Sequence, residues 1–211
     1  MRTKILLLSA ILFSIALSSN AQITKGKVLL GGSVICANLS RGGNNAFYSN
    51  VQAGKFVKDN TVFGIGISYS THNNGVVNSN PATYGASVFY RKYKPLLKDL
   101  FFFAEVNAGY SYSKAYYGIY GAGEDGYRNI SNDGSINFTP GISYSLLMHL
   151  QVELIMQSLA SINYSFVKTD YTTSGSSPMT PTKQNIFNGG VNLNSNLLGN
   201  FGIGFKFLLG K

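Results

Sequence analysis

Tryptophan is absent, cysteine occurs once (Cys36), and histidine occurs twice, at His72 and His149. A lone cysteine excludes an internal disulfide, and inside an apolar strand it is a small hydrophobic side chain with no assigned role. No Cys/His/Asp spacing suits a metal, so no metal and no cofactor are expected. Acidic residues are scarce, 8 against 17 Lys and Arg, and only 12% of the chain is charged. The positive balance does not gather on a helix face or in an aromatic-interleaved patch, which argues against nucleic acid as a partner. Proline is held to 5 residues, and no sustained helical period follows the first segment. A helical protein is disfavoured. The pairs Gly31-Gly32 and Gly189-Gly190 fall in strands with no helix after them, so they are not phosphate loops.

Glycine is plentiful, at 24 residues, with 14 Tyr and 14 Phe. Such a mixture suits many strands joined by turns. The first segment stands apart. Arg2 and Lys4 precede the apolar run Ile5–Leu17, and Ser19-Asn20-Ala21 offers a small-x-small cleavage site before Gln22. This order reads as a secretory signal peptide over residues 1–21, cut after Ala21, and the run is short of the ~20 residues a spanning helix needs. Residues 22–211 form one domain.

Within that domain an alternation of apolar and polar residues recurs with a period of two. It predicts strands at Lys27–Leu39, Phe47–Val57, Val62–Ser70, Thr83–Tyr93, Leu100–Tyr112, Ser135–Leu146, Gln151–Val167 and Phe201–Leu208. The connections alternate between long (Ser40–Ala46, Thr71–Ala82, Lys114–Gly134, Lys168–Asn185) and short (Lys58–Thr61, Lys94–Asp99, Leu147–Leu150). Leu100–Tyr120 and Tyr127–Leu146 can project beyond this frame. Asn185–Lys211 is too long for one ordinary strand. It is expected as a single long strand with a bulge near Asn194–Asn200, rather than as a hairpin of Ile186–Leu193 with Phe201–Leu208.

The two faces of these strands differ in an unusual sense. Phe102, Ala104, Val106, Ala108, Tyr110 and Tyr112 share one face of their strand, with Phe101, Phe103, Glu105, Asn107, Gly109 and Ser111 behind. Phe201, Ile203, Phe205 and Phe207 likewise oppose Gly202, Gly204 and Lys206. An apolar face backed by Gly, Ser, Asn and single charges suits lipid outside and a narrow polar interior. The fold class expected is therefore all-β: an eight-stranded antiparallel up-and-down transmembrane β-barrel preceded by a cleaved signal peptide. An interior of eight strands is expected to be too narrow for large aromatics, hence its Gly and Ser.

Four charges, Arg91, Glu105, Glu153 and Lys206, fall on the inward parity. Isolated charges there are costly, so they are expected to pair as an interior network. Lys55 is a further candidate of ambiguous parity. The network reads as a structural plug, or as a gate that rearranges. His72 beside Ser70 and Ser79 is the one arrangement resembling a nucleophile and base. Nothing positions an oxyanion hole or an orienting acid, so no enzyme is expected and no catalytic residue is assigned. Lys25, Lys27, Lys58, Lys92, Lys94, Lys98 and Lys211 are placed at one rim, with Tyr93 as an interfacial anchor. Tyr112, Tyr116, Tyr117, Tyr120 and Tyr127 gather at the other, as an aromatic girdle or a recognition surface.

Leu30-Gly31-Gly32-Ser33, Gly54-Lys55-Phe56-Val57-Lys58-Asp59-Asn60, Val88–Lys98 leading into Phe102-Ala104-Glu105 and Gly109-Tyr110, and Pro140-Gly141-Ile142-Ser143-Tyr144 carry a family-level similarity over residues 22–211. In these the chain resembles the small outer-membrane β-barrel proteins of the OmpA/OmpX-like porin family common in Bacteroidetes. The ending Phe205-Lys206-Phe207 is similar to the aromatic signal read by the barrel insertion machinery, though Leu208–Lys211 follow it here. The resemblance implies an integral outer-membrane protein of a Gram-negative envelope. Its partners would be the outer-membrane bilayer and the insertion machinery, engaged through Phe201, Phe205 and Phe207, and it is expected to be a monomer. A structural or surface-interaction role through extracellular loops is expected. A narrow channel or carrier for small solutes is the alternative, and a membrane-embedded hydrolase or acyltransferase a remote one.

Overall fold

Long period-two stretches need partners on both edges, and the computed structural model supplies them by closing the sheet on itself. It describes residues 22–38, 45–73, 81–118, 126–156, 158–172, 180–191 and 201–210. The predicted signal segment, Ser79 and Tyr120 lie outside these, as do the side chains of Cys36 and His72. Ten strands are present: β1 (Val28–Asn38), β2 (Asn45–Lys58), β3 (Thr61–Asn73), β4 (Ala82–Pro95), β5 (Leu100–Gly118), β6 (Gly126–Leu147), β7 (Leu150–Met156), β8 (Ala160–Thr172), β9 (Thr182–Val191) and β10 (Phe201–Leu209). All pairings are antiparallel. Strands β1 to β7 and β10 form a ring of eight, closed by β1 against β10 with Val28 opposite Leu209 and Val34 opposite Ile203.

The count of ten against the expected eight has a simple origin. β7 pairs with Gly141–Leu147 of β6, and β8 continues along the same edge over Gly126–Phe138. The predicted strand Gln151–Val167 is thus one stave interrupted between Met156 and Ala160. On the next edge β10 pairs with β7 and β9 with β8. β9 and β10 do not pair with each other, so they are successive parts of one stave and not a hairpin. Two expected connections are largely strand. β5 and β6 run on to Gly118 and from Gly126, and β8 reaches Thr172, so that β5, β6, β8 and β9 extend past the ring on the side of the long connections.

Side chains alternate about the ring as the pleat requires. Along β10, Gly202, Gly204, Lys206 and Leu208 are buried, and Ile203, Phe205 and Phe207 between them are exposed. β3 exposes Phe63, Ile65 and Ile67 and turns Val62, Gly64 and Gly66 inward. The interior corrects one expectation. Its short-turn end is filled by Leu29, Phe56, Val62, Phe89, Tyr93, Phe101, Phe103 and Leu208, so large aromatics do fit. Glycines on facing strands make the room. A Cβ on Gly64 would come within 2.7 Å of the Phe89 ring, and one on Gly141 would overlap the ring of Phe103.

The same end is sealed by the segment before β1. Ile23 is buried, and its backbone N–H donates to Asn60 Oδ1 at 2.8 Å while its carbonyl accepts from Asn60 N at 2.9 Å. Asn60 adopts a left-handed φ of 56° in the two-residue Asp59-Asn60 turn, a conformation Asn tolerates better than most residues.

Replacing Gly141 by Ala should overpack the Phe103 site and cost roughly 1–3 kcal/mol. Gly190→Ala, with no atom near the added methyl, is the control. Thermal unfolding of the refolded protein reads both. An unshifted midpoint in G141A would mean that the Phe103 ring yields freely.

Candidate functional site: the buried charge layer

Register places the charges before any side chain is considered. Arg91 on β4 stands directly opposite Glu105 on β5, and Glu153 on β7 opposite Ser143 on β6. Lys206 on β10 lies between Gln151 and Gly31. All four charged residues point into the ring and are almost wholly removed from solvent, at 2, 3, 1 and 0% exposure for Arg91, Glu105, Glu153 and Lys206.

Arg91 is the hub. Its Nε donates to Glu105 Oε2 at 2.8 Å, and Nη2 lies 2.7 Å from the same oxygen. Across the ring, Nη1 donates to Glu153 Oε1 at 2.6 Å and to the Tyr93 hydroxyl at 3.0 Å. The Tyr93 O–H in turn donates to Glu153 Oε1 at 3.3 Å. Phe103 closes one face of the guanidinium, its ring centroid 4.3 Å from Cζ, a favourable cation–π geometry. Two cations and two carboxylates leave the layer without net charge. That matters because each buried ion costs several kcal/mol to desolvate, repaid only by close pairing and satisfied hydrogen bonds.

Gln52 on β2 ties the set together. Its Nε2 donates to Glu105 Oε1 at 3.0 Å, and its Oε1 accepts from Arg91 Nη2 at 3.3 Å and from Lys206 Nζ at 2.5 Å. Sequence reasoning missed this residue and offered Lys55, which is exposed and faces outward. The β2 pattern is misleading because both its faces carry an aromatic, Phe47 outside and Phe56 inside. Tyr93 was also misplaced. It is buried beside Arg91 rather than anchored at the rim with Lys92 and Lys94, which are exposed. The usable signal was parity, because Tyr93 follows Arg91 by two residues and must share its face.

Above the charge layer, toward the long connections, the interior opens into a cavity of about 250 Å³. Its lining is described below. His149 Nδ1 lies 3.1 Å from the carbonyl of Leu208, a contact that joins the β6–β7 turn to β10. Among the described residues no group of three His, Cys, Asp or Glu could hold a metal.

A second, looser ionic set lies on the outer face of the β5–β6–β8 extension. Asp170 accepts from Lys168 and Arg128, each at 2.8 Å. Lys168 first, and then Arg128, hold the Asp170 carboxyl below its ordinary value through these hydrogen bonds. On the opposite face Tyr117 stacks on Tyr127 with centroids 4.6 Å apart, whereas Tyr112 and Tyr116 are exposed on the outer side. The predicted tyrosine cluster is therefore split between two faces.

Arg91→Met leaves two buried carboxylates against Lys206 alone, and should cost on the order of 3–5 kcal/mol in denaturant unfolding. Adding Glu105→Gln restores neutrality and should recover part of that loss. A double variant as unstable as the sum of its single variants would deny the coupling. Because the Asp170 value is lowered on folding, its contribution is complete above the ordinary carboxylate range and is lost as pH falls through the lowered value. Protection from hydrogen exchange at the outer β6–β8 pairs, taken relative to the intrinsic amide rate at each pH, should stay constant from neutrality to about pH 4 and fall only below it. Loss of protection near neutrality would contradict the assignment. No protein-family model matches the chain, and no curated protein matches its sequence.

Proposed function

We propose that the chain is an integral outer-membrane β-barrel protein, exported with residues 1–21 removed as a signal peptide. In this reading its interior is locked, and it acts as a structural or surface-interaction element through the connections facing outward. The observation that carries this is the inversion of its two faces. Four charged side chains are buried, while Val51, Phe63, Ile65, Ile67, Val106, Ile136, Leu154, Ile203 and Phe205 are exposed on six of the eight ring strands at 44–64% each. A soluble monomer rarely exposes an apolar patch above a few hundred Å², whereas a lipid-facing barrel requires a continuous band.

Three further features support the reading. Backbone pairing runs unbroken around the ring, as hydrocarbon surroundings demand. The exposed Tyr69, Tyr84 and Tyr112 stand in one cross-strand row at the long-connection edge of the band, as an interfacial girdle would. Lys58, Lys92, Lys94 and Lys98 are exposed near the opposite edge. The resemblance to the OmpA/OmpX-like porin family points the same way.

A locked interior is favoured over a conduit because the apolar plug, Ile23 and the charge layer follow one another along the axis. The narrow-channel reading would need both obstacles to move.

The mature protein should fractionate with the outer membrane and migrate as a heat-modifiable band on unboiled gels. Liposomes carrying it should show no swelling with small sugars or amino acids. Soluble, unshifted protein would overturn the membrane reading. Swelling that responds to Arg91→Ala or Glu105→Ala would replace the locked barrel with a channel.

A further inference from the structure

The cavity above the charge layer is too specifically furnished to be a mere gap. Its walls are Tyr48 and Asn50 of β2, Asn107 of β5, and Asn137 and Thr139 of β6, with Ile155 of β7 on one side. Gln52 and the Arg91–Glu105 pair make its floor. Asn50 Oδ1 is buried there with no hydrogen-bond partner among the described residues, an acceptor open to a donor from a ligand or from water.

Three properties narrow the chemistry. The floor is internally neutralised, with Arg91 paired to Glu105 and Glu153 and Lys206 held by Gln52, so it offers no net charge to select an ion. The walls are amides and hydroxyls that both donate and accept, matching a ligand whose own groups do both. The Tyr48 ring and the Ile155 side chain add apolar surface to that polar set. A sugar ring combines hydroxyl edges with an apolar C–H face, and a polyol does so less fully. At about 250 Å³ the space is smaller than the ~300–1,000 Å³ of drug-sized sites, which restricts the occupant to a single ring.

We propose that this cup binds a neutral monosaccharide, entering from the side of the long connections. The cup is made by the ring itself. Sugar binding by solubilised protein that fails to enter the outer membrane would therefore leave this inference standing and remove only the membrane reading.

The test is saturation-transfer NMR on the full mature chain refolded in detergent micelles, with glucose, galactose and N-acetylglucosamine as probes. Glucose 6-phosphate and glucosamine serve as the charged counterparts. Transfer to the ring protons of at least one neutral sugar is expected, with weaker or no transfer to the charged pair. Asn107→Phe fills the cup while leaving the four charged residues themselves unchanged, and should weaken binding at least about tenfold, or 1.4 kcal/mol, while keeping the heat-modifiable band. If that variant loses its band, Asn50→Ala decides instead, with weakened binding supporting the site. Tyr117→Ala, far out on the extension, should bind as the parent does. No transfer to any neutral sugar, stronger binding of the charged analogues, or undiminished binding in the deciding cup variant would each overturn the proposal.

Discussion

A guanidinium without water must find all its hydrogen-bond acceptors in the protein, and Arg91 finds them on three other strands. Its partners on β2, β5 and β7, together with Tyr93 on its own strand, tie staves that local pairing would leave unconnected. Backbone ladders fix each strand only to its neighbours. The charge layer fixes the ring across its diameter, and thus selects one shear and one cross-section from several that a sheet of this length could close into. Removing one member is costly because the rest stay buried. Such a layer specifies a shape more surely than it stabilises one.

Below and above that layer the interior serves opposite ends. Toward the short turns, aromatic rings fill spaces left by glycines on facing strands, and Ile23 covers them. Toward the long connections, small polar side chains leave the cup open. Volume matching, rather than a general preference for small residues, governs the inside: Phe103 needs Gly141 as much as Gly141 needs Phe103. The exposed surface follows a simpler rule of alternation with an apolar outer face.

Much of this was legible from period-two patterns. The faces of β10 could be read directly, because glycine and Lys206 alternate there with aromatic residues, and in β5 the alternation from Ala104 to Tyr112 placed Glu105 inward. β2 resisted, with aromatics on both faces, which concealed Gln52 and promoted Lys55. Tyr93 was misread because a tyrosine between two lysines resembles an interfacial anchor unless parity is carried through from Arg91. Pairing of inward aromatics with glycines on other strands is a three-dimensional fact with no trace along the chain. The division of the last two staves was half visible, in the excess length of Asn185–Lys211. The pairing of β8 with the outer part of β6, and of β9 with β8, was not, since the polar sequence of Lys168–Asn185 resembles a loop.

The ring closes by pairing the first strand with the last, Val28 against Leu209. The closing contact is therefore among the least local in the molecule, and its loop-closure entropy falls due only when the final residues are in place. Until then β1 presents an unpaired edge, and an open edge is an invitation to aggregate. By contrast, the clasp between Ile23 and Asn60 needs only the first two strands and the turn that follows β2. Folding thus has a built-in order in time. One end can be stoppered early, while the wall stays open until the last strand is in place.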